Sequence, residues 1–240
     1  MKRSLSALSA ATALIALYLL VALFAAPPAP VTPSPTNQEK VAPQTKPTSA
    51  DEALIKLIAG NRRYSAHHLK HPDQSSRRMH EVEEAQHPFA VILGCSDSRV
   101  PPEILFDQGL GDLFVIRVAG NVPDDEVIGS IEYAVEHLHT PLVVVLGHEH
   151  CGAVTAATHD PESNHTRSFT EWLRPIVEAV RGQSGDLVHN AMCLSVTRIV
   201  HALRNSEPVL KEASEQSHVR IVGSHYELKS GKVIWDRELP

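Results

Sequence analysis

The sequence predicts an α/β fold, a central mostly parallel β-sheet flanked by helices, with an N-terminal helix extension. Three observations lead there. Short apolar runs rich in β-branched residues recur at 89–93, 113–118 and 142–146, and strands without alternation are those buried on both faces. An amphipathic pattern lies between the second and third runs, which reads as strand, helix, strand. The region after residue 170 is again helical, so helices suffice to cover a sheet.

Taken in order, residues 1–26 begin with Lys2 and Arg3 and continue through an apolar stretch, Ala13 to Ala26. This reads as a signal peptide or a membrane anchor. Pro27 and Pro28 after Ala25-Ala26 disfavour cleavage, while the length approaches the ~20 apolar residues that span a bilayer. Export to a periplasmic or extracellular location follows from either reading, with a membrane tether in the second. Residues 27–48 are rich in Pro, Thr and Ser and hold almost no large apolar residue, so they form a disordered linker. Residues 49–240 are the folding domain. Ser49-x-x-Glu52 has capping-box form ahead of Leu54, Ile55, Leu57 and Ile58, and a helix starts there. Between the second and third strands, Val127, Ile131, Ala134, Val135 and Leu138 make one apolar stripe over 124–138, implying a right-handed crossover. Trp172, Ile176 and Val180 mark one later helix, and Met192, Val196, Ile199 and Leu203 another. Val219 to Val222 and Lys232 to Trp235 flank a Ser230-Gly231 turn and suggest two closing strands at a sheet edge.

Composition narrows the partners. The 240 residues carry a formal charge of -6 and no Lys/Arg-rich run, which argues against nucleic acid, because neutralising phosphates takes a concentrated basic surface. Three cysteines, Cys95, Cys151 and Cys193, are too few and too odd in number for a disulfide framework. Cys193 sits on an apolar helical stretch and reads as a buried core thiol. The histidines His67, His68 and His71 lie in a polar stretch and read as solvated.

Cys95 follows directly on one predicted strand, and His148 and Cys151 stand in the same relation to another. Both sets sit at carboxyl ends, where open α/β sheets bind ligands. Two thiolates and an imidazole suit zinc, and three protein ligands leave a fourth tetrahedral position for catalysis. A Cys95–Cys151 disulfide is the competing reading in an exported protein.

The stretch Cys95-Ser96-Asp97-Ser98-Arg99-Val100 before a proline, with Gly147-His148-x-x-Cys151-Gly152-Ala153, resembles the two signatures of β-class carbonic anhydrases. The likeness runs over most of 51–235, through Gly60-Asn61-x-Arg63, Gly111-Asp112-Leu113-Phe114, Arg117, Gly120-Asn121 and Ser130-Ile131-Glu132-Tyr133-Ala134. The resemblance implies one Zn2+ per subunit on Cys95, His148 and Cys151, and a catalytic dyad of Asp97 and Arg99. Asp97 becomes a fourth metal ligand in the closed form that the family also adopts. It further implies CO2 and bicarbonate as ligands, with Gln86, Phe114, Tyr133 and Gly152 as substrate-binding positions, and a homodimer or higher homo-oligomer. Family members regulated by bicarbonate carry a tryptophan where this chain has Ile92 and an arginine where it has Arg117; the departure at Ile92 argues against a regulatory bicarbonate site.

Chemistry calls for such a dyad. Zinc with neutral ligands lowers the pKa of bound water from about 15.7 toward about 7. Two thiolates weaken that effect, so an acceptor that orients the water gains value, and Asp97 held by Arg99 supplies one. His150, between the two ligands, is a further proton-relay candidate. The implied reaction is reversible CO2 hydration. Two other readings stand beside it: a related zinc hydrolase of CS2 or carbonyl sulfide, and a noncatalytic zinc-clamped binding protein.

Overall fold

The computed structural model describes residues 49–159 and 167–236. The predicted export segment and linker, residues 1–48, lie outside the described residues. Among the described residues no helix is long and apolar enough to cross a membrane.

Helix α1 (Ala50–Ser65) begins as its capping box requires. The Ser49 hydroxyl accepts from the Glu52 N–H at 3.2 Å, and the Glu52 carboxylate accepts from the Ser49 N–H at 3.3 Å. Its Gly60 is dictated by contact, because a Cβ there would overlap the Phe106 carbonyl. That closeness lets buried Asn61 donate to the carbonyls of Leu105 at 3.1 Å and Gly231 at 3.0 Å, and accept from the Val233 N–H at 2.9 Å. Arg63 completes the stretch by pairing with Asp107, whose carboxylate also accepts the N–H groups of Lys70 and His71. The Gly60-Asn61-x-Arg63 sequence is therefore a staple that fastens α1 to two distant segments.

One sheet forms the centre, in the order β2-β1-β3-β4-β5. Its strands are β1 (Ala90–Cys95), β2 (Leu113–Val118), β3 (Leu142–His148), β4 (Arg220–Tyr226) and β5 (Val233–Trp235). The first four are parallel and β5 returns antiparallel. Every residue of β1 and β3 is buried, which explains why their sequences do not alternate. The expectation of two closing strands at an edge holds for β5 alone. Strand β4 lies inside the sheet, with Ile221, Val222, Gly223 and Ser224 buried, because it pairs with β3 as well as with its hairpin partner. The chain also passes β1 on its way from β2 to β3, so the predicted strand-helix-strand unit joins strands that are not neighbours.

The remaining helices are α2 (Ser76–Glu81), α3 (Pro102–Leu105), α4 (Asp125–Glu136), α5 (Gly152–His159), α6 (Arg167–Val180), α7 (Leu187–Arg204) and α8 (Val209–Glu215), with a 3-10 turn at Ala119–Asn121. Asp124 caps α4 by accepting the Val127 N–H at 2.9 Å, and Val127, Ile131, Ala134 and Val135 are its buried stripe. Helix α7 rides close on β3 and β4, since a Cβ at Gly147 or Gly223 would press on Val196 at 2.7 or 2.8 Å. Cys193 on α7 departs from its predicted place: it is half-buried at the helix margin, with His189 beside it, because the apolar face turns Met192 and Val196 inward instead.

Candidate metal centre

Strands β1 and β3 are adjacent and parallel, with Gly94 level with Leu146, so their carboxyl ends meet. Cys95 ends β1, His148 ends β3, and Cys151 comes three residues later at the start of α5. The two sulfurs and one His148 nitrogen lie within 4.8 Å of one another, and all three residues are buried. No other trio of His, Cys, Asp or Glu among the described residues meets that spacing. Both cysteines are free thiols, so the competing disulfide is not formed.

The donor set fits zinc on chemistry internal to the chain. His148 Nδ1 lies 2.8 Å from the Glu149 carbonyl, which can only accept, so Nδ1 carries the proton and Nε2 keeps its lone pair. That Nε2 is buried and has no hydrogen-bond partner, an arrangement that is costly unless a cation takes the lone pair. The sulfurs are equally poised. Cys95 is held down to about 4, first by the Cys151 thiol and further by the N–H groups of Asp97 and Gly120, against the opposing effect of burial. Cys151 is pushed up, because it donates to Cys95, is buried and faces the Cys95 charge. The pair by itself supports one thiolate, and a divalent cation is what makes a second one favourable.

The loop after β1 carries the dyad. Arg99 donates from Nε to Asp97 Oδ1 at 2.9 Å and from Nη2 to Asp97 Oδ2 at 2.7 Å, and its own N–H adds a third bond to Oδ1 at 2.9 Å. Arg99 thereby holds the Asp97 carboxyl well below the usual carboxylate range. Asp97 is not among the converging donors; both of its oxygens are engaged by Arg99. His150, the relay candidate, is exposed, and its carbonyl accepts from Arg99 Nη2 at 3.3 Å.

Two residues that the sequence reading named only as part of the family likeness, Arg117 and Gly120, turn out to support the centre. Arg117 on β2 reaches across to β1, donating from Nε to the Cys95 carbonyl at 2.9 Å and from Nη2 to the Asp97 carbonyl. It pins the turn that carries the first sulfur and the dyad. Gly120, at φ 66°, turns its N–H onto Cys95 Sγ at 3.4 Å, in a conformation that glycine adopts without strain. Its positive φ is dictated by the turn after β2, which strand periodicity does not reveal.

The expected substrate positions divide. Gly152 opens α5 beside Cys151, with open space where a side chain would be. Gln86, Phe114 and Tyr133 are elsewhere. Phe114 is level with Val91, whereas Cys95 is level with Val118. Four residues of strand separate those levels, roughly 13 Å. Tyr133 packs near Phe114, with ring centroids 6.3 Å apart, and Gln86 is exposed ahead of β1. Within one chain these three stand at the opposite end of the sheet from the sulfurs.

A parallel sheet whose strand tips present two thiols and an imidazole, beside a clamped carboxylate, defines a zinc-binding α/β enzyme. The sequence pattern of the carbonic anhydrase family matches residues 90–233. A carbonic anhydrase of Mycolicibacterium smegmatis is 40% identical over 196 residues, covering 80% of this chain and 94% of that one. Among solved structures, the β-carbonic anhydrase CcaA superposes with a TM-score of 0.61 at 25% identity, over 76% of this chain and 94% of that one. A Coccomyxa β-carbonic anhydrase gives 0.61 at 26% identity, over 76% and 85%. The chain belongs to the carbonic anhydrase family, in its β-class, whose members use zinc.

Proposed function

We propose that this chain catalyses the reversible hydration of CO2 to bicarbonate and a proton, with Cys95, His148 and Cys151 holding one zinc ion and Asp97 and Arg99 serving the reaction. The convergence of those three donors, with a partnerless Nε2 among them, carries the reading. When bound, the ion supplies Lewis acidity toward water and the oxygens of CO2.

The chain's own groups do the rest. Arg99 uses both sites on Asp97 Oδ1 and one on Oδ2, so Oδ2 can still accept a hydrogen bond from water and fix its orientation. Because Arg99 holds it ionised, Asp97 is a weak base and does not store the proton. Water adds its oxygen to the carbon of CO2, one O–H bond breaks, and that proton leaves to buffer. Arg117 keeps the loop in register while this happens. The Arg99 pairing favours this reading over a noncatalytic clamp, in which Asp97 would have to leave Arg99.

Substrate contacts by Gln86, Phe114 and Tyr133 require a second copy, since one chain holds them away from its own sulfurs. Strand β2 is the sheet edge, and its Leu113, Phe114, Val115, Ile116 and Val118 are only half-buried. An apolar, unpaired edge is what a second β2 would cover, giving a homodimer. Phe114→Arg should then yield monomers by sedimentation and lose most turnover. The N-terminal segment supports an exported, periplasmic or extracellular enzyme, with a membrane tether if it is retained. Fractionation of the expressing cells decides that.

Stopped-flow CO2 hydration on zinc-loaded protein at about pH 8.5 tests the activity. Asp97→Asn should cut the rate at least 100-fold and leave zinc content near one per chain. A wild-type rate no faster than buffer defeats the proposal.

A further inference from the structure

The reaction makes no use of a second group of soft donors, on the α7 face of the sheet. His189 and Cys193 are one turn apart on α7, and Cys193 Sγ stands 3.6 Å from His189 Nε2. The ring of His225, on β4, meets His189 edge-on with centroids 5.7 Å apart. Alternation places His225 on the same face of β4 as Gly223, the position that α7 covers through Val196. The Asp236 carboxylate lies on that face too, since it would collide with a Cβ at Gly223. Gly147 looks toward α7 as well, so His148, the next residue, is sent to the opposite face, and the two groups share no ligand.

These distances suit a tetrahedral ion. With Zn–S about 2.3 Å and Zn–N about 2.0–2.1 Å, a sulfur and a nitrogen on one zinc are about 3.5–3.6 Å apart. Two imidazoles on one zinc have centroids about 5 Å apart. The pair on α7 therefore already has the bite of a zinc chelate, and a turn of the His225 ring is the rearrangement that brings in a third donor. We propose that His189, Cys193 and His225 form a second, surface-facing site for a borderline-soft divalent cation of the zinc class, with Asp236 supplying negative charge beside it. Electrostatics agree with the geometry. Burial lowers the His225 pKa and favours the neutral ring that ligates. Burial and then Asp236 raise the Cys193 thiol, a penalty that a cation removes. An ion here would clip α7 to β4.

The test uses zinc-loaded enzyme and follows alkylation of Cys193 by iodoacetamide, read by mass spectrometry, with and without added Zn2+. Added zinc should slow the reaction at least tenfold, and both His189→Ala and His225→Ala should abolish that protection. Absence of protection in the wild type, or protection that survives either substitution, overturns the site. His189 is exposed, so its variant folds whatever becomes of the other. Cobalt offers a second readout: Co2+ added to the zinc enzyme should produce a thiolate charge-transfer band that Cys193→Ser lacks. A band of equal strength in Cys193→Ser counts against the proposal as well.

Discussion

Replacing Arg117 with methionine isolates the support of the metal centre from its ligands. The substitution keeps an apolar stem on β2 and removes the donors to the Cys95 and Asp97 carbonyls. A hydrogen bond from a charged donor contributes about 1.5–3 kcal/mol, so the pair is worth about 3–6 kcal/mol if water cannot replace it. Strand β2 is half-exposed, and water reaching the released carbonyls cuts the loss to roughly 1–3 kcal/mol. For a domain of this size each kcal/mol lowers Tm by about 2–4 °C, which gives a fall of roughly 2–12 °C. The larger effect should be on the metal, because supports behind a ligand typically alter affinity about 10–100-fold. Competition for zinc against a chromophoric chelator measures that, with thermal melts alongside. Arg117→Lys should recover part of it through one remaining donor. If Arg117→Met holds zinc as tightly as the wild type, the clamp has no bearing on the centre and the reasoning fails.

Gly60→Ala should destabilise the fold by about 1–3 kcal/mol in urea titration, since the new methyl overlaps the Phe106 carbonyl and α1 must shift away from its Asn61 bonds. Asp107 predicts the acid response. Burial pushes its carboxyl up, but Arg63 and the N–H groups of Lys70 and His71 outweigh that, so its folded pKa is lowered. A lowered carboxylate stabilises above its unfolded pKa of about 3.9, and that stability is lost as pH falls through the folded value. Asp107→Asn should therefore be less stable than wild type at pH 7, with the gap closing below about pH 4. A constant gap across that range would rule out the ion pair as its source.

Much of the fold was legible because the signals were local. The capping box at Ser49, the apolar runs of β1, β2 and β3 and the stripe of α4 are set by neighbours within one or two turns. The half-buried margin position of Cys193 was not, since its stretch is apolar on average and only packing against β3 and β4 decides which face turns inward. The interior place of β4 was equally hidden, because a hairpin signal says nothing of the strand on its other side.

Residue types and spacing determined the donors: two cysteines and a histidine at strand ends, and an aspartate two residues from the arginine that grips it. The tertiary structure alone decided that Arg117 and Gly120 brace the first of those donors, and that Phe114, with Tyr133 packed near it, stands roughly 13 Å along the sheet from it. Strand pairing is the reason. Chemistry is written in the side chains of single residues, whereas distance across a sheet depends on which strand lies beside which, and that is settled only when buried faces compete for the same core.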